Sequence, residues 1–113
     1  MNAALDKAIP ILIEPLVRTG IYGSQEEALK NLVLRYVQEQ IDDAEQQIAR
    51  FQKKYGMGFE EWSDSLVGKA TIEEEDDWIE WESARDMLES WQGIKADIEQ
   101  INVSTQLPTS FPR

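Results

Sequence analysis

Between Ser24 and Gly56 the chain runs without a Gly or Pro, and its apolar positions recur at helical spacing throughout. The stripe reads Ala28, Leu29, Leu32, Val33, Tyr36, Val37, Ile41, Ala44, Ile48, Phe51 and Tyr55, and from Val37 onward its steps are 4, 3, 4, 3 and 4. That alternation is the seam of a coiled coil. Ser24 followed three residues later by Glu27 is a capping box that opens the helix, and Gly56 stands where a left-handed residue would close it. A helix of about 30 residues extends some ~45 Å. It is too long for a bundle of short helices, so a second long helix must lie against it, from this chain or from a twin.

The back half supplies one. Thr71 with Glu74 forms another capping box, the acids Glu73 to Asp77 crowd the first turns, where the helix dipole favours them, and a helix is expected from about Ile72 to Gln100. Its stripe is Trp78, Trp81, Ala84, Leu88, Trp91, Ile94, Ile98 and Ile101, with Gly93 as a weak point. Between the two, Gly58 to Gly68 fits one short helix with Phe59, Trp62 and Leu66 on one face. The expected fold is all-α: a long central helix, a short connecting helix and a long C-terminal helix in an antiparallel hairpin. Before Gly20, Pro10 and Pro15 interrupt the only apolar run. A kinked helix reaching Thr19 is the preferred reading, and a short edge strand over Ile9 to Ile13 is the alternative. Residues 1–101 read as a single helical domain, with a dimerisation half over 1–55 and an acidic half over 56–101. The tail, 102–113, carries Pro108 and Pro112 without periodicity and is expected to be disordered.

Composition narrows the chemistry. The 113 residues include no Cys and no His, which excludes disulfides, thiolate nucleophiles, zinc fingers and imidazole bases. No nucleophile is set beside a base, so a non-enzyme is expected, with no catalytic residue, cofactor or metal ligand assigned. Glu73 to Asp77 lacks the alternation and central Gly of a calcium loop, and Gly56-Met57-Gly58 lacks the rest of a dinucleotide fingerprint. No apolar stretch approaches the ~20 residues of a membrane span, and a cytoplasmic location is expected.

Charge is placed unevenly. The total is -11, from 22 acids against 11 bases, and residues 56–101 alone hold fourteen acids against Lys69, Arg85 and Lys95. An acidic half disfavours nucleic acid and anionic membrane as ligands and favours a basic protein partner. A solvated helix face that keeps the chain soluble is the plainer alternative. Four indoles, Trp62, Trp78, Trp81 and Trp91, fall within this segment. Tryptophan anchors interfaces, and it also fills cores. The candidate partner-binding set is Phe59, Trp62, Asp76, Asp77, Trp78, Glu80 and Trp81, and the candidate dimerisation stripe is Leu29, Leu32, Val33, Tyr36 and Val37.

The segment Leu16-Val17-Arg18-Thr19-Gly20-Ile21-Tyr22-Gly23-Ser24-Gln25-Glu26-Glu27-Ala28-Leu29 resembles the junction between the two helices of ribbon-helix-helix antitoxins, where a Gly, an aromatic and a Ser open the second helix. Lys54-Tyr55-Gly56-Met57, Phe59-Glu60 and Asp76-Asp77-Trp78-Ile79-Glu80-Trp81-Glu82 are similar to the C-terminal portions of small acidic prokaryotic proteins encoded beside toxin genes. The resemblance implies a type II antitoxin, whose front half dimerises and binds operator DNA weakly while its acidic back half neutralises a basic toxin. Met1 to Ile9 lacks the alternation of a DNA-reading ribbon, and Glu26 and Glu27 would repel a phosphate at the second helix. Only the dimerising helix pair is therefore carried over. The alternative is a homo-oligomeric helical adaptor with neither toxin nor DNA as partner.

Overall fold

The structure, a computed structural model, describes residues 3–102. It is all-α, with helices α1 (Ala3–Arg18), α2 (Gln25–Tyr55), α3 (Phe59–Ser65) and α4 (Ile72–Glu99) in chain order. Among the described residues there is no strand. The edge strand considered for Ile9 to Ile13 is thereby overturned, and residues 3–9, where a ribbon-helix-helix protein would pair strands, are helical. The tail expected to be disordered lies, from 103 on, outside the described residues.

Two compact units divide the chain: Met1–Tyr36 together with Ala96–Arg113, and Val37–Lys95. In the first, α1 continues through both Pro10 and Pro15. Each proline deprives the carbonyl four residues earlier of its helical donor. Those carbonyls belong to Asp6 and Ile11, both exposed residues. Arg18 pairs with Glu14 one turn back, and Gly20, at φ 83°, ends the helix with its N–H donating to Val17 at 2.9 Å. The first capping box forms as the sequence predicts: the Glu27 N–H donates to Ser24 Oγ at 3.1 Å, and the Gly23 N–H donates to the Glu27 carboxylate at 3.0 Å. Ile13 and Ala28 are buried in this unit. The last turn of α4 contains no basic residue, and Lys30 of α2 supplies one. Its ammonium donates to the carbonyl of Ile101 at 2.6 Å and more weakly to that of Glu99 at 3.4 Å, where the dipole leaves negative charge unsatisfied.

The second unit is an antiparallel hairpin. Lys54 of α2 meets Asp77 of α4, Phe51 stacks on Trp81, and Gln38 accepts a hydrogen bond from Lys95, so contacts descend α2 as they ascend α4. Gly56 adopts φ 70° as the left-handed stop, its N–H donating to Gln52 at 2.8 Å. The second capping box also forms, with the Thr71 N–H donating to Glu74 at 2.9 Å and the Glu74 N–H donating to Thr71 Oγ1 at 3.1 Å. The core is aromatic. Phe51, Trp62 and Trp81 are buried, and Tyr55, Phe59 and Trp78 pack against them. Ring centroids lie 4.3 Å apart for Tyr55 and Trp62, 5.1 Å for Trp62 and Trp81, and 5.4 Å for Phe59 edge-on to Trp81. The two longer separations are those of favourable aromatic pairs.

Candidate protein interface

The acidic half separates into residues that build the fold and residues that face solvent. Helix periodicity sets Glu73 and Asp77 one turn apart on the face of α4 toward α2. Lys54 donates to both, at 2.8 Å and 2.7 Å, and the Tyr55 hydroxyl donates to Asp77 as well. The hydrogen bond from Lys54, followed by that from Tyr55, holds the Asp77 carboxyl below the usual carboxylate range. Burial, with the bond to Asp77 second, pushes the Tyr55 hydroxyl up to about 12. Glu74 is taken by its own capping box. Arg85 lies over the Phe59 ring, 4.4 Å from its centroid, and donates to Glu60 at 2.9 Å. Asp76, Glu80 and Glu75 remain exposed on α4.

The aromatic candidates divide in the same way. Trp62 and Trp81 are 3% and 0% exposed, which corrects their placement in the partner-binding set. They are the centre of the core: Trp81 stacks on Phe51 and Tyr55, and Trp62 on Tyr55 and Trp81. Trp78 is half-buried, tilted against Phe59 at 5.6 Å, and its indole N–H donates to Ser63 Oγ at 2.8 Å. Asp77 is likewise engaged within the fold, so substitution of Asp77 or Trp78 tests folding before it tests a partner. Phe59 is half-buried under Arg85. Of the seven candidates, Asp76 and Glu80 are exposed.

One face of Trp78 lines a groove that the sequence stripes do not reveal. Leu66, Val67, Ala70, Trp78 and Ile79 form its apolar walls, Glu75 stands among them, and the cavity measures about 460 Å³. Val67 is 79% exposed and Ile79 61%. The groove lies wholly in the second unit, between the α3–α4 turn and the first turns of α4. Its volume falls within the ~300–1,000 Å³ of binding pockets. Val67 and Ala70 lie in a turn, and Ile79 falls one residue off the core stripe, so no periodic signal joins them.

No protein-family model, curated protein or solved structure matches this chain.

The candidate dimerisation stripe lies in α2, and all but Val37 of it in the first unit. Leu29, Leu32, Val33 and Tyr36 are 37% to 55% exposed and follow one another at spacings of 3, 1 and 3, a single helix face. Val37, expected to extend the stripe, is buried and does not belong to this surface. The same unit also exposes Ile11 and Leu12 on α1 and Ile21 in the turn that follows. Among the described residues, no helix is long and apolar enough to cross a membrane.

Proposed function

We propose that this chain is an antitoxin-like regulatory binder that dimerises through the α2 stripe of its first unit and holds a basic protein on its acidic second unit. The observation that carries this reading is the difference in charge between the units. The first unit has a net charge of -1 and exposes an apolar helix face, whereas Val37–Lys95 has sixteen acids against six bases, a net charge of -10. Two surfaces of near-zero charge associate without electrostatic penalty, and burial of apolar area drives them together. Two surfaces of strongly like charge repel, so the acidic unit suits a partner of opposite sign. Operator DNA has no place in the proposal, since residues 3–9 form helix in place of a ribbon.

The test is affinity capture from the native host at physiological and at high salt. The expected result is a small basic protein in stoichiometric amount, weakened by salt, that arrests growth when expressed alone and is neutralised by co-expression of this chain. Lys at Glu75, Asp76 and Glu80 together should abolish capture, and Leu32→Glu with Tyr36→Glu should convert the dimer into a 13.0 kDa monomer while retaining it. Recovery of the chain alone would favour the homo-oligomeric adaptor instead.

A further inference from the structure

We infer that the groove walled by Leu66, Val67, Ala70, Trp78 and Ile79 receives a cationic amphipathic helix of another protein, which seats one large apolar side chain there and sets Lys or Arg against the surrounding acids. This specifies the recognition mode of the basic partner proposed above and rests on that reading. The groove is apolar within, and the charged side chain that lines it, Glu75, is acidic, while Lys69 is exposed in the turn between Val67 and Ala70. Helix spacing puts Asp76 and Glu82 three residues to either side of Ile79. Asp76 and Glu75 are exposed, and neither they nor Glu82 are tied up in the ion pairs that engage Glu73 and Asp77. An apolar anchor with positive charge one turn away matches that pattern.

The walls favour a helix over an extended segment. They are made from α3, α4 and the turn between them, whose Leu66 and Lys69 N–H groups already donate to Ser63 and Leu66 at 3.1 Å and 3.0 Å. Such walls offer no strand edge for an added strand to pair with, while a docking helix satisfies its own backbone. A second copy docking through its own acidic unit is a poor occupant, because two units of charge -10 would meet. The floor is set in advance: the bond from Trp78 to Ser63 and its contact with Phe59 fix the indole before anything docks.

The experiment uses the full chain and two synthetic probes: a Leu/Lys amphipathic helix of about 18 residues, five turns, and an oligolysine of equal charge. Binding is read by calorimetry and by Trp fluorescence, for the wild type and for Val67→Asp and Ile79→Asp. Both sites are well exposed, so the fold should survive, and circular dichroism with sedimentation confirms it. Each variant makes the chain more acidic. Attraction by charge alone would therefore strengthen binding of either probe, whereas docking in the groove requires the Leu/Lys helix to weaken at least about tenfold while oligolysine binds no worse. Unchanged or tighter binding of the Leu/Lys helix to both variants would overturn the groove. Failure of both probes to bind the wild type would instead overturn the basic-partner reading on which it rests. A fall in sedimented mass on Ile79→Asp would show a second copy in the groove and overturn the inference.

Discussion

Asp77 illustrates how a single residue changes meaning between sequence and structure. In a run of five acids it looks like one more solvated carboxylate, and its presence beside Trp78 suggested a partner contact. The hairpin register brings Lys54 and Tyr55 to it, and it becomes an internal fastening between α2 and α4. Its carboxyl is held below its ordinary value, so the stability it contributes is present above the unfolded value of about 3.9 and is lost as pH falls through the lower folded value. Urea midpoints measured from pH 6 to pH 2 should therefore fall less steeply in Asp77→Asn than in the wild type over roughly the last two units. Tyr55 runs the opposite way. Its hydroxyl is raised to about 12, so its contribution is complete below about 10 and disappears as pH rises through about 12. Trp81, fully buried, has the one buried side-chain polar atom among the described residues that lacks a hydrogen-bond acceptor, its indole N–H. A buried unsatisfied donor costs about 1–3 kcal/mol. Trp81→Ala should destabilise by about 3–5 kcal/mol and Trp81→Phe by about 1–2 kcal/mol, measured by chemical denaturation, because Phe retains ring contacts and removes the orphan N–H.

At the scale of elements, what the sequence makes legible is whatever one helix decides for itself. Both capping boxes, the left-handed Gly56 and the extents of α2 and α4 follow from local spacing and local backbone demands. α1 is less legible, since two prolines normally argue against one helix, and here both lie inside it one turn after exposed residues, Asp6 and Ile11. The groove was not legible at all, because Leu66, Val67 and Ala70 are brought to Trp78 and Ile79 only by the turn between α3 and α4. Trp62 and Trp81 were misplaced for the same reason: whether a stripe residue meets core or solvent depends on what packs opposite. Gly93 lies inside α4 with nothing within 4 Å of a Cβ built upon it. Gly93→Ala should therefore raise stability by about 0.5–1 kcal/mol. Gly56→Ala, forced to φ 70°, should lower it by about 1 kcal/mol. Thermal and urea unfolding of the pair checks both signs.

For the molecule as a whole, the informative quantity is the division of charge, -1 in one unit and -10 in the other. The asymmetry is visible in the sequence, though the unit boundary falls within α2 at Tyr36 and Val37, a place that no break in the sequence marks. The exposed apolar stripe lies in the nearly neutral unit and the groove lined by Glu75 in the charged one. On the proposed function, self-association and partner capture would use separate surfaces and should be separable by substitution. Native mass spectrometry of the wild type and of Leu32→Glu with Tyr36→Glu, each with the Leu/Lys helix, tests this most directly. The wild type should appear as two 13.0 kDa chains carrying two peptides, and the stripe variant as one chain carrying one. Loss of peptide along with dimerisation, or a wild type that is monomeric, would contradict the assignment of the two functions to two surfaces.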